Sequence, residues 1–161
     1  MWARLPPQAL DLPFAPASVG DARRRLSVDT AAAGVGEAAR ADVLVVLSEL
    51  LGNALRHARP LDGNTVRVMW RILPDEVEVA IVDGGAPTSP RADRPPFAAL
   101  SGRGLGIVDA LCESWGVEGS GTPNQLVWGV VRRGTLPRHA PQEQDHDRPV
   151  PEQQVGPGRA D

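Results

Sequence analysis

The sequence predicts an α+β fold in which about three helices cover one face of a mixed, mostly antiparallel sheet. Three observations predict this two-layer α/β sandwich. Helical periodicity dominates residues 19–58, apolar residues alternate in two adjoining stretches at 66–72 and 77–81, and a glycine-led helix with further strands follows. Helices and strands that segregate along the chain are typical of α+β domains.

The first elements have recognisable boundaries. Residues 10–14 alternate like an edge strand, and the next helix is predicted over 19–33 with Ser18 as its N-cap. A second, stronger helix is predicted over 37–58, because Pro60 cannot continue it.

The two alternating stretches form a predicted β-hairpin, and a long loop follows it over 84–101. A loop of this length in a compact domain is more often functional than idle. The glycine-led helix is predicted over 102–115, and the last strand candidates are Val117 and residues 126–131. One domain over 10–133 results, with an N-terminal extension at 1–9 and a disordered tail at 134–161, where apolar residues are scarce.

Composition excludes several classes of protein. Cys112 is the only cysteine, so an intramolecular disulfide is excluded and a reducing cytoplasm is favoured. The net charge of −3 comes without a basic stripe, which argues against direct nucleic-acid binding. The central apolar run at 43–47 is far too short to span a membrane. A soluble cytoplasmic protein without membrane contacts is therefore expected.

The second predicted helix carries two residues that can perform chemistry. Glu49 and Asn53 lie one turn apart on its polar face, together with Arg56 and His57. A carboxylate can deprotonate a nucleophile, and an amide oxygen can join the shell of a Mg²⁺ bound to phosphates. Taken alone, a solvated helix face explains the pair better. Gly52, which costs about 1 kcal/mol relative to alanine, indicates that some group approaches the backbone closely there.

The hairpin ends in Asp83, Gly84 and Gly85. A carboxylate at a strand end can accept a hydrogen bond from an exocyclic amine, and Gly85 would let a flat ring approach the backbone. An ordinary turn explains the same residues and is the more frequent case, since Asp-Gly is a common turn dipeptide.

The segment 101–108 reads SGRGLGIV and opens the third predicted helix. Helix N-termini offer unpaired N–H groups and the positive end of the dipole, and glycines let a phosphate reach them. No Gly-Lys-Ser/Thr follows, and the spacing is G-x-G-x-G, so neither a Walker loop nor a Rossmann fingerprint is present.

The order of these motifs is more specific than any one of them. SELLGNALRHA, then VDGGAP after a hairpin, then GRGLGIVDAL after a long loop, resembles the GHKL, or Bergerat-fold, ATPases over residues 10–132. Within that superfamily the residues of these three motifs most resemble those of the bacterial anti-sigma-factor serine/threonine kinases. The resemblance implies a histidine-kinase-like ATP-binding domain with ATP and Mg²⁺ as cofactors.

The resemblance also implies roles for individual residues. Asn53 matches the Mg²⁺ ligand, Glu49 the general base, and Asp83 the carboxylate that holds the adenine amino group with Gly85 beside the ring. The phosphates would be cradled by the glycine turn, and Arg103 would add charge near the γ-phosphate. The matching backbone positions of that turn are Gly102, Gly104, Leu105 and Gly106.

Three departures from the family pattern leave the function open between alternatives. Pro87 stands at the usual second glycine of the first turn, Gly102 stands where some members carry an arginine, and Leu126 stands at the position of a threonine that helps seat adenine. The first interpretation is an anti-sigma-factor kinase that sequesters a sigma factor and phosphorylates a STAS-type antagonist, with a homodimer left open.

The second interpretation is a catalytically weak, nucleotide-dependent binding module, and the three departures favour it. The third is an orphan histidine-kinase catalytic domain. It is disfavoured because His57 lies in the Glu/Asn helix and the other two histidines lie in the tail, so none sits on an upstream dimerising helix.

Overall fold

The computed structural model describes residues 7–85, 103–120, 122 and 124–134, and in this part of the chain three helices lie on one five-stranded sheet. The elements are β1 (Gln8–Pro13), α1 (Ala17–Ala32), α2 (Glu37–His57), β2 (Thr65–Ile72), β3 (Glu76–Asp83), α3 (Arg103–Leu111), β4 (Ser114–Glu118) and β5 (Gln125–Arg132). The strand order is β1-β2-β3-β5-β4, and all four neighbouring pairs are antiparallel. The α+β sandwich expected from the sequence is confirmed.

The core lies between the sheet and the helices. Alternation on β3 turns Val77, Val79 and Ile81 inward, where they are fully buried. The central helix α2 packs across β3 and β5, with α1 on the side of β1 and β2 and with α3 on its other flank. Because α2 is buried along one stripe only, its opposite face is left for polar residues.

The first two elements begin at other residues than predicted. Helix α1 begins at Ala17 after Pro16, and Ser18 is not its N-cap. The Ser18 hydroxyl instead donates to the Pro13 carbonyl at 2.6 Å and ties the helix to the end of β1. Strand β1 begins at Gln8, inside the predicted extension.

The third helix is also shorter than predicted, because α3 ends at Leu111. The Glu113 N–H donates to the Val130 carbonyl at 2.8 Å, so the chain has already joined the sheet and Trp115 belongs to β4. The predicted loop beyond Gly85 and the predicted tail beyond Gly134 lie outside the described residues. No helix in the described part of the chain is both long and apolar enough to cross a membrane.

The centre of β5 contains a close contact that depends on a glycine. A Cβ at Gly129 would lie 2.8 Å from the Cys112 Sγ and 3.3 Å from Val46 Cγ1. Burial raises the pKa of the Cys112 thiol to about 12, so the sulfur is a neutral packing atom. The sulfur therefore takes the space that a side chain at position 129 would need.

We expect Gly129→Ala to lower the free energy of unfolding by about 1–3 kcal/mol, because the added methyl group overpacks this contact. Adding Cys112→Ala to that variant should restore part of the loss, since it removes the atom that clashes. Urea denaturation of the wild type, both single variants and the double variant measures the coupling. Purely additive effects would contradict this account.

Candidate functional site

The polar face of α2 presents Glu49 and Asn53 beside the core. Both are half-buried, whereas their neighbours Leu50, Leu51 and Ala54 are buried against the sheet. In the described part of the chain, neither the Glu49 carboxylate nor the Asn53 amide has a hydrogen-bond partner. Apolar packing holds the helix, so both groups are fixed in position and available to a ligand.

The sequence predicted that some group lies close to the backbone at Gly52, and in the structure this group is a side chain of the same helix. A Cβ at Gly52 would lie 3.1 Å from Nη1 of Arg56, whose side chain folds back over the glycine. The missing side chain of Gly52 thus leaves room for a guanidinium one turn away, on the face that carries Asn53. Helical periodicity predicted that Arg56 lies on this polar face, but it did not indicate this contact with Gly52.

Two backbone hydrogen bonds attach the end of α2 to the end of β3. The Arg59 N–H donates to the Gly85 carbonyl at 2.9 Å, and the Gly84 N–H donates to the Arg59 carbonyl at 2.8 Å. We call this exchange the α2–β3 clamp. A Cβ at Gly84 would lie only 2.4 Å from the Pro60 carbonyl oxygen, so the clamp closes only around a glycine.

Gly85 is required by the backbone for two reasons. Its φ is +78°, which disfavours residues with a side chain, and a Cβ there would lie 2.6 Å from the Thr122 carbonyl oxygen. The turn is therefore wedged between the segment after α2 and the segment before β5. Whether Gly85 also lets a ring approach stays a prediction.

Asp83 is the buried acid of the site. Only 1% of the residue is exposed, and its Oδ1 accepts a hydrogen bond from the Gly85 N–H at 2.8 Å. Burial raises the pKa of this carboxyl to about 6, and the hydrogen bond from Gly85 offsets part of that rise. Such a perturbed acid at the end of a strand is typical of binding sites.

The first turn of α3 contains most of the predicted phosphate-binding positions. The helix starts at Arg103 and includes Gly104, Leu105 and Gly106, whereas Gly102 lies outside the described residues. The first four N–H groups of a helix have no partner within it. Leu105 is 9% exposed and packs in the core, so its side chain anchors the turn and only its backbone could face a phosphate.

The position predicted to match the adenine-seating threonine is wrong. Leu126 pairs with Val82 and Glu118, on the sheet face opposite the helices, and cannot reach Asp83. The residue directly across from Asp83 is Gln125. Because neighbouring residues of a strand point to opposite faces, an error of one position moves the side chain out of the site.

The donor set fits a magnesium ion that is bound mainly through phosphates. The described residues contain no cluster of three or more His, Cys, Asp or Glu side chains that could hold a metal. Mg²⁺ keeps several waters and often takes only one or two protein ligands beside nucleotide phosphates. Asn53 is an amide on a helix held in place by packing, so it suits the role of a single protein ligand to a phosphate-bound Mg²⁺. It does not suit a site in which protein side chains alone surround the metal.

Comparison with known proteins agrees with this arrangement. The family model described as "Histidine kinase-like ATPase domain" matches residues 12–128, a span that includes Glu49, Asn53, Asp83 and the first turn of α3. Among solved structures, the crystal structure of the RsbU and RsbW domains of Rv1364c from Mycobacterium tuberculosis has a TM-score of 0.61 and 20% identity. The alignment covers 81% of this chain and 32% of that one, so this chain spans about a third of its length. The comparison with curated proteins gives no match.

The raised pKa of Asp83 predicts a stability that depends on pH. Between the unfolded value of 3.8 and the folded value of about 6, the native state binds more protons than the unfolded state. The free energy of unfolding should therefore fall as the pH rises through this window, by at most about 3 kcal/mol. We expect Asp83→Asn to remove this slope and to be more stable than wild type at pH 7.

Urea denaturation at several pH values between 3.5 and 7.5 measures both effects. Asp62→Asn, which changes an exposed aspartate, is the matched control and should keep the wild-type slope. A slope in Asp83→Asn equal to that of the wild type would show that another group titrates.

Proposed function

Because this chain belongs to the family of histidine kinase-like ATPase domains, we propose that it binds Mg-ATP between α2, the Asp83 turn and the first turn of α3, and that ATP regulates its binding to a protein partner. One observation carries the proposal. The α2–β3 clamp joins the helix that bears Glu49 and Asn53 to the turn that bears Asp83. Asn53, which suits a metal–phosphate complex, and Asp83, which suits a nucleobase, are thus attached to one rigid frame.

Each site residue has a role in this proposal. Asp83 accepts a hydrogen bond from the adenine amine, with Gly85 beside the ring, and Asn53 binds the Mg²⁺ that the phosphates carry. The backbone of Gly102, Gly104, Leu105 and Gly106 cradles the phosphates, supported by the positive end of the α3 dipole.

The finer proposal is a serine/threonine kinase of the anti-sigma-factor type. Glu49 takes the proton of a Ser or Thr hydroxyl, whose oxygen then attacks the γ-phosphorus while the bond to the ADP oxygen breaks. Arg103 adds positive charge near the γ-phosphate. The Glu49 carboxylate is half-buried and has no hydrogen-bond partner in the described part of the chain, which supports this role because a base must be free to accept the proton of its substrate.

The proposed partners are a sigma factor, which the protein sequesters, and a STAS-type antagonist, which it phosphorylates. The motif wording supports this assignment, and so does the fold likeness to a structure that contains an RsbW domain. A homodimer and a cytoplasmic location belong to the same proposal.

A second candidate is a binding module in which ATP controls partner affinity with little catalysis. The departures from the family pattern at Pro87 and Gly102 favour it. An orphan histidine-kinase domain is less well supported, because His57 is an exposed residue at the end of α2.

Asn53→Ala tests nucleotide binding. We expect the wild type to bind Mg-ATP in isothermal titration and the variant to bind at least tenfold more weakly, because a metal ligand is lost. Gln8→Ala, which removes an exposed amide on the edge strand β1, should bind like the wild type. The proposal fails if the wild type binds no ATP.

Glu49→Gln separates catalysis from binding. We expect the variant to keep the Mg-ATP affinity within a few-fold and to transfer phosphate to a STAS-type antagonist 10²–10⁴-fold more slowly, as expected on loss of a general base. Labelled ATP measures the transfer, and the unfolding midpoint checks the fold. A wild type that binds ATP, never labels an antagonist and changes partner affinity with ATP would establish the second candidate.

A further inference from the structure

The sheet has an outer face, on the side opposite the helices. Side chains alternate along a strand, so the residues between the core positions of β2, β3 and β5 point to this outer face. The strand registers bring six apolar residues together there, which we call the outer patch: Met69, Ala80, Val82, Leu126, Trp128 and Val130. An antiparallel sheet with one face in water carries mainly polar residues on that face. The outer patch therefore indicates a surface that is covered by another layer.

Burial on the outer face is uneven. Arg67 and Arg71 lie on the same strand and the same face, and each pairs with a carboxylate, Asp11 and Glu78 respectively, at 2.7 and 2.8 Å. The Arg71 side chain is only 6% exposed, whereas that of Arg67 is 49% exposed. Ala80, next to this buried pair, is fully buried although it does not belong to the core beneath the helices. Because pairing alone does not explain the difference, it indicates a cover over the Arg71 end of the outer face, where the described residues form no helix or strand.

Residues 1–6 join the sheet at this end of the outer face. The β1–β2 register, continued by one residue, places Pro7 across from Arg71. Residues 1–6 read MWARLP, with Trp2 and Leu5 as large apolar side chains. In the polyproline II conformation that the prolines favour, residues three apart share one side and lie about 9 Å apart, roughly two strand spacings. Six such residues span about 19 Å, which is enough to cross from β1 over β2 and β3 to β5.

The other two long segments outside the described residues fit the outer face less well. The segment 86–102 starts beyond Asp83, at the opposite end of β3, and leads to α3 on the helix side. The segment 135–161 follows β5 and starts near the covered end, but it consists mostly of polar, charged and proline residues. An apolar patch is matched by the composition of residues 1–6.

We propose that residues 1–6 form a strap across the outer face of the sheet, with the Trp2 and Leu5 side chains packed on the outer patch. Leu5 lies over β2 and β3, and Trp2 lies over β5. The strap shields the Arg71–Glu78 pair from water and keeps the apolar face of one copy from contact with another copy. It lies on the side of the sheet away from the candidate ATP site, so this assignment does not rest on the proposed function.

Cross-linking with a short bis-maleimide tests the position of the strap. Trp2→Cys is combined with Val130→Cys on the outer face or, as the matched control, with Val28→Cys, an exposed position on α1. The native Cys112 does not compete, because burial raises the pKa of its thiol to about 12. We expect the first pair to be linked within one chain and the control pair to stay unlinked. Links between chains would show that a second copy covers the face, and equal linking of both pairs would show that residues 1–6 have no fixed place; either result overturns the proposal.

Urea denaturation with light scattering identifies the segment that covers the face. We expect Trp2→Ala to raise the equilibrium constant of unfolding about tenfold or more, because a large apolar side chain loses its buried contacts. It should also increase self-association, because the outer patch is uncovered. Leu136→Ala, in the segment 135–161, is the matched control and should leave both quantities within twofold of the wild type. If Leu136→Ala destabilises the protein and Trp2→Ala does not, the C-terminal segment is the cover and the proposal is wrong.

Discussion

The candidate site depends on the α2–β3 clamp, in which Arg59 exchanges backbone hydrogen bonds with Gly84 and Gly85. Within the described part of the chain, it is the clamp that adds backbone hydrogen bonds to the apolar packing between α2 and β3. The clamp brings them together at a fixed distance, because backbone groups have less freedom than side chains. Its cost is steric, since a Cβ at either glycine would come within 2.6 Å of a carbonyl oxygen. The glycines are thus required by the frame before any ligand is considered.

The same frame explains why Asp83 is an unusual acid. Asp83 lies at the end of β3 beside the clamp and is only 1% exposed, so its charge is poorly solvated. A single N–H from Gly85 compensates only in part, and the pKa remains near 6. A buried carboxylate whose charge is compensated only in part destabilises the native protein at neutral pH. In the proposed function, the residue that lowers stability is the same one that accepts a donor from the ligand.

Much of the frame and part of the site could be predicted from the sequence. Periodicity predicted the long helix, the hairpin and the α+β class, because each element buries one face with its own period. The chain order of Glu49, Asn53 and Asp83 indicated the family that the comparison then matched. Helix boundaries were less predictable where a side chain makes a hydrogen bond other than the expected cap. The Ser18 hydroxyl, for example, donates to the Pro13 carbonyl and does not cap α1. The C-terminal end of α3 was predicted too late in the chain, because β4 is short and the sequence pattern does not mark where the helix stops and the strand starts. Trp115 was therefore assigned to the helix, whereas it belongs to β4.

The error at Leu126 has a different physical origin and bears on function. A strand pattern gives two faces, but the face that points to the site is set by register against a neighbour that is distant in sequence. Here β3 fixes β5 so that Asp83 meets Gln125, and the apolar Leu126 falls on the outer face. Family patterns locate such a position only to within a residue, whereas one residue decides between contact with a base and no contact. The residue beside the buried acid is therefore Gln125, which the family pattern alone did not single out.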